Sequence, residues 1–176
     1  AGFTVKTIAF SEDSLVSGSR GLKIQADKHK TELDIDTAIK EGKLPHAVVL
    51  PGGLMGTENL AKEAAVSKLL DAMHRENRLI AAICAAPVVV LSPLGILKNK
   101  RYTAYPGMEK KIAQYAGIDF QKKTENALYI ADEALVQDGN LLTSNGPGSA
   151  SVFAFGIIEH FAGKELAESI AKESIF

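Results

Sequence analysis

Two short, uninterrupted apolar runs, Ala47-Val-Val-Leu50 and Leu79-Ile-Ala-Ala-Ile83, constrain this chain more than any other feature. Each stops at a turn, Pro51-Gly52-Gly53 and Cys84-Ala85-Ala86-Pro87 respectively, and a helix-like pattern follows. A strand that is apolar on both faces needs cover on both, which is the condition of a buried parallel strand between helical layers. The rest of the chain repeats this alternation. Phe3 to Phe10 alternates apolar and polar residues and predicts a strand. Gly18 to Asp27 predicts a short extended pair around Ser19-Arg20-Gly21. Asp34 to Glu41 predicts a helix capped by Asp34 or Asp36, stopped by Gly42 with Pro45 beyond. Thr57 is placed to cap a long helix to about Asn77, in which Leu60, Ala64, Val66, Leu69, Leu70 and Met73 keep helical spacing. Pro87 suits an early position in a helix running through Leu91. Strands are expected at Arg101 to Tyr105, Ala127 to Ile130 and Ala134 to Gln137, with a helix at Glu109 to Tyr115. Asp138-Gly139 reads as a hairpin turn into Leu141-Leu-Thr143. Asn145-Gly146-Pro147-Gly148 leads into a helix from Ser149 to Phe161, Gly163 stops it, and Lys164 to Glu173 forms the last helix. The order is that of an α/β domain with a mostly parallel sheet and helices on both faces. With no internal repeat or linker, residues 1–176 read as one domain.

Composition narrows the function classes. A net charge of −1, with Lys and Arg scattered, gives no electrostatic footprint for nucleic acid or an anionic membrane. The short cluster Lys28-His29-Lys30 reads as a solvated loop. No apolar run approaches the ~18–20 residues that span a bilayer, and Ala1 to Phe10 reads as a strand rather than a signal peptide. A single cysteine forms no internal disulfide and no multi-cysteine zinc site. His29, His46, His74 and His160 show no metal-ligand spacing; His46 opens a strand, and His74 and His160 fall late in helices, where the dipole tolerates them. No cofactor and no metal are expected, and the compartment expected is the cytoplasm.

In open α/β sheets, ligands bind beyond the carboxyl ends of the strands. Gly52-Gly53, Cys84 and Gly146-Pro147-Gly148 all fall at such ends. A lone cysteine is most often a small buried hydrophobe. The small neighbours Ala82, Ala85 and Ala86 nevertheless permit a tight, strained strand-to-helix turn, the geometry of a nucleophile elbow. The thiol would then face the start of the next helix, where unpaired N–H groups favour thiolate. The N–H groups of Gly53 and Ala85 are candidates for an oxyanion hole. Tyr105 is a candidate hydrogen-bond donor at the same edge, or a packing residue. Glu58 and Glu63, on the helix after Gly53, read as surface carboxylates. Gly146-Pro147-Gly148 lacks the Lys and spacing of a P-loop, and Gly52-Gly53 does not complete G-x-G-x-x-G. The base that would serve the cysteine is not identified by local sequence.

Val48-Val-Leu-Pro-Gly-Gly53, Ala81-Ala-Ile-Cys-Ala-Ala-Pro87 and Thr143-Ser-Asn-Gly-Pro-Gly148 together resemble the ThiJ/PfpI superfamily, and most closely its DJ-one branch. Gly18-Ser-Arg-Gly21, Tyr105-Pro106 and Gly163-Lys164-Glu165 fit the same pattern, and the resemblance covers essentially the whole chain. It implies a flavodoxin-like three-layer sandwich, a homodimer, and a reactive, oxidation-sensitive Cys84. It gives Gly53 and Ala85 the oxyanion N–H groups, and assigns anion or substrate binding to Arg20, Tyr105, Gly52, Gly146, Pro147 and Gly148. The activities implied are glutathione-independent conversion of methylglyoxal to lactate and deglycation of glycated substrates, with redox sensing and holdase action as the alternative.

The sequence departs from that pattern in places. Tyr105 stands where many members have histidine, Asn145 where arginine is frequent, and Val152 where glutamate is frequent. Ala85 follows the cysteine where the protease-like branch has histidine, which argues against a peptidase. Ala1-Gly2-Phe3 aligns with the end of the family's first helix, so the first strand-helix unit and its thiol-bonding glutamate have no counterpart in these 176 residues. Roughly 25–30 residues would supply such a unit. The expectation is a groove with unpaired strand edges, filled by a separate N-terminal fragment or a segment outside this sequence.

Overall fold

The computed structural model describes residues 1–18 and 20–176. Ser19, at the centre of the expected extended pair, lies outside the described residues. The strands in chain order are β1 (Ile8–Ala9), β2 (Leu15–Ser17), β3 (Lys23–Gln25), β4 (Lys28–His29), β5 (Ala47–Leu50), β6 (Leu79–Ile83), β7 (Arg101–Tyr102), β8 (Leu128–Tyr129), β9 (Leu135–Asp138) and β10 (Leu141–Ser144). The α-helices are α1 (Ile35–Lys40), α2 (Leu54–Lys62), α3 (Ala64–Arg75), α4 (Ile112–Ala116), α5 (Phe120–Lys123), α6 (Ala150–Ala162) and α7 (Lys164–Glu173).

The central sheet runs β5-β6-β10-β9, parallel except for the antiparallel β9–β10 hairpin. Strand β6 shows why the sheet needs two helical layers. Ile80 and Ala82 pack into a core with Leu70 and Met73 of α3 and with Val88 to Leu91. Leu79 and Ala81 point the other way, into a core with Leu142 and Phe153 of α6. Alternate side chains of one strand thus supply two cores, and every position on it is apolar. The α/β sandwich read from the sequence is the architecture found.

Several local expectations are corrected. The helix expected from Thr57 to Asn77 is two helices, because Glu63 takes an extended conformation (φ −82°, ψ 111°) and separates α2 from α3. Glu63 caps α3 with its carbonyl, which accepts from the N–H groups of Val66 and Ser67, while its carboxylate holds Lys30 Nζ at 2.6 Å. Gly53, not Thr57, is the N-cap of α2; Thr57 is buried inside the helix and its hydroxyl donates to Leu54 O. Lys28-His29-Lys30 is not a solvated loop: β4 pairs in parallel with β1, and the His29 ring lies 2.9 Å from Ser11 O. Strands expected at Phe3 to Phe10 and Arg101 to Tyr105 shrink to two paired residues each, since each has a partner over only two positions. β5 is parallel as expected but not fully buried. Among the described residues it pairs with β6 alone, and Val49 is 50% exposed. The helix after Cys84 winds as a π-helix over Pro87–Leu91 and tightens to a 3₁₀ turn over Ser92–Leu94.

Candidate active site

Cys84 follows the last residue of β6 and turns the chain from strand into helix. Its φ is +67°, in the left-handed region that residues other than glycine rarely adopt. Two main-chain hydrogen bonds hold it there: its N–H donates to Ser144 O at 2.9 Å, and its carbonyl accepts from Tyr105 N–H at 2.8 Å. Strand β10 on one side and the segment after β7 on the other therefore clamp the strained residue. This is the strained elbow that the small flanking alanines permit.

Gly52 makes room for the cysteine. A Cβ on Gly52 would lie 2.5 Å from Cys84 Cβ and 3.3 Å from Sγ, so only glycine fits the end of β5 beside the elbow. Gly53 needs glycine for a different reason, a φ of +91° that opens α2. Among the described residues, neither the Gly53 N–H nor the Ala85 N–H forms a hydrogen bond. Ala85 is buried against the start of the helix, and Gly53 is exposed.

The Gly146-Pro147-Gly148 turn braces the edge. The Ser149 hydroxyl sits at its centre, 2.6 Å from Ser144 Oγ and 2.8 Å from Asn145 Oδ1 and from Gly146 O. Asn145, in the position where the family pattern favours arginine, is thus a partner in this internal network. A Cβ on Gly146 would stand 3.5 Å from the Tyr105 ring, so the turn backs Tyr105. Pro147 and Gly148 are exposed and do not line the cysteine pocket.

A pocket of about 460 Å³ opens in front of Cys84, lined by Leu54, Ala85, Tyr105, Pro106, Gly107, Met108 and Lys111. Such a volume lies within the range of small-molecule sites. Its walls are mainly apolar, and Tyr105 is 50% exposed on one side. Between α2 and α4 the Tyr115 hydroxyl donates to Glu58 Oε1 at 2.9 Å. Burial, and then that hydrogen bond, holds the Tyr115 hydroxyl above its ordinary pKa. Glu58 and Glu63 are therefore tied into the structure, where the sequence suggested only surface carboxylates.

The fold brings Cys84, Ala85 and Tyr105 to one pocket, with Gly52 directly behind the thiol. It does not bring Arg20 there: that residue is exposed on the turn joining β2 to β3 and is not among the pocket lining. Leu54, Met108 and Lys111 are lining residues that sequence reasoning missed. The only available signal for Lys111 was its place six residues after Tyr105, which identifies a neighbour only once the intervening turn is known. Among the described residues no helix is long and apolar enough to cross a membrane.

Comparison with known proteins agrees with this geometry. The DJ-1/PfpI family profile matches residues 1–160. The chain is 36% identical to protein dj-1beta of Drosophila melanogaster over 98% of its own length and 82% of the relative's. It is also 36% identical to the Parkinson disease protein 7 homolog of Danio rerio, over 97% and 81% of the two chains. The structure of oxidized Toxoplasma gondii DJ-1 superposes with a TM-score of 0.77 at 29% identity, covering 97% of this chain and 82% of that one. With its strained cysteine, its glycine-backed pocket and this likeness along nearly its whole length, the chain belongs to the DJ-1/PfpI family.

Proposed function

We propose that this protein converts reactive dicarbonyls to hydroxy acids through Cys84. The observation that carries this reading is the strained Cys84 elbow opening onto an apolar pocket lined by Ala85, whose N–H has no partner among the described residues. The thiolate adds to the aldehyde carbon, a C–S bond forms, and the carbonyl electron pair moves to oxygen. The Gly53 and Ala85 N–H groups receive that oxyanion. A proton then moves from the former aldehyde carbon to its neighbour through an enediolate, leaving a thioester. Water cleaves the C–S bond and releases the 2-hydroxy acid and the thiolate. Among the described residues the pocket lining supplies the Tyr105 hydroxyl and the Lys111 amine, with water, as groups able to carry the proton.

Lactate formation from methylglyoxal without glutathione tests the reading, with wild type compared against Cys84→Ser. The expected result is turnover lost in the variant; equal rates remove Cys84 from the mechanism. A homodimer belongs to the same proposal. It would let Arg20 serve the pocket of a second copy, and sedimentation of the wild type with the rate of Arg20→Ala checks both.

One observation favours a second reading, redox sensing. The Toxoplasma relative is described as oxidized, and the Cys84 side chain here is partly accessible. A thiolate so placed can be oxidised by peroxide to sulfenate and then sulfinate. Rapid, selective mass gain at Cys84 under mild peroxide, without dicarbonyl turnover, would favour this reading over the first.

A further inference from the structure

The Cys84 pocket is walled mainly by apolar side chains. Leu54, Ala85, Pro106, Met108 and the Tyr105 ring surround its volume of about 460 Å³. One cation stands on the lining, Lys111, in the short turn between the Tyr105 segment and α4. Among the described residues, Lys111 forms no ion pair. The carboxylates on the framing elements are engaged elsewhere. Glu109 accepts from the Gly107 N–H at 2.7 Å, and Glu58 accepts from the Tyr115 hydroxyl.

From these features we propose that Lys111 is a specificity residue that selects substrates with an apolar body and an anionic end. The preferred substrate class is a 2-oxo-aldehyde whose carbonyl reaches Cys84 while a carboxylate or phosphate, separated from it by an alkyl or aryl spacer, meets the Lys111 ammonium. An unpaired cation at the rim of an apolar pocket attracts an anion there more strongly than it would in open solvent. This proposal rests on the dicarbonyl reading for the substrate's reactive group. The recognition of charge beside Cys84 can be measured without turnover.

The first experiment is alkylation of Cys84 by iodoacetate and by iodoacetamide, followed by mass spectrometry at fixed pH and ionic strength. The two reagents attack the same sulfur and differ in one negative charge. Their rate ratio therefore cancels any change in thiolate population. The expected result is that Lys111→Gln lowers the iodoacetate-to-iodoacetamide ratio by about fivefold, the scale of an accessible charge pair. Lys111→Arg should keep the ratio and Lys111→Glu should lower it further. Lys110→Gln, an exposed neighbour off the pocket lining, removes the same net charge and should leave the ratio in place. An unchanged ratio in Lys111→Gln overturns the proposal, as does an equal fall in Lys110→Gln. The second experiment compares carboxyphenylglyoxal with its neutral carboxamide as substrates. A preference for the acid that Lys111→Gln abolishes supports both the proposal and the dicarbonyl reading. If the alkylation ratio falls as expected but neither glyoxal is turned over, charge selection at Lys111 stands and the dicarbonyl reading fails.

Discussion

The edge of the central sheet that carries Cys84 and the N-terminal strand pairs are held very differently. Strand β6 has a hydrogen-bonded neighbour on both sides and a helical layer on both faces, and Leu79 to Ala82 are buried. Among the described residues, strands β1 and β4 pair only with each other, as do β2 and β3. Around them Val5 is 75% exposed and Ile24 57%. Apolar alternation alone therefore does not make a buried strand; a second sheet neighbour and a covering helix do. At Cys84 a positive φ is held by hydrogen bonds from both flanking segments, so the strained turn keeps one geometry.

Predictions that test this contrast run from large effects to small. Leu70, fully buried on α3 against β6, should cost about 2–5 kcal/mol when truncated to Ala, measured by denaturant unfolding. A loss under 1 kcal/mol would mean that the layer under β6 is not a packed core. Gly52→Ala should cost about 1–3 kcal/mol from overpacking. It should also slow Cys84 alkylation sharply, because the new methyl needs the space of Cys84 Cβ. Normal alkylation in a folded variant would contradict the close approach.

Tyr102 sharpens the comparison through pH. Burial, reinforced by Glu109 and Tyr129, raises its pKa from 10.0 to about 12. The folded state thus holds the proton more tightly than the unfolded state. The resulting stability is complete below pH 10 and is lost as pH rises toward 12. Tyr102→Phe should flatten that alkaline limb in thermal melts, and an unaltered slope between pH 10 and 12 would refute the assignment. At the small end, Ile24→Ser on the exposed β3 should shift stability by about 0.5 kcal/mol or less. Amide exchange completes the set: β6 amides should exchange only on global opening, and those of β1 to β4 by local opening. Equal protection in the two regions would erase the distinction.

Much of the architecture was legible where periodicity and punctuation agreed. The runs at β5 and β6, the stop at Gly163 and the last helix from Lys164 to Glu173 stand as read. Pattern failed where a distant partner decided the outcome. At Glu63 the apolar spacing runs on through the break, and the Lys30 that its carboxylate meets lies 33 residues away. Strands β1 and β7 are shorter than their patterns suggest because alternation describes a strand's faces and says nothing about how far its neighbour extends.

From its sequence alone this chain determined an α/β sandwich, a cysteine at a strand-to-helix turn, and glycines at the turns beside it, since those follow from local period, small side chains and turn chemistry. Only the tertiary structure decided that Gly52 lies against Cys84, that Ser149 braces the neighbouring turn, and that Lys111 shares the pocket while Arg20 does not line it. These relations join segments that are distant along the chain. They depend on strand order and helix packing, which side-chain sequence encodes only through the whole fold.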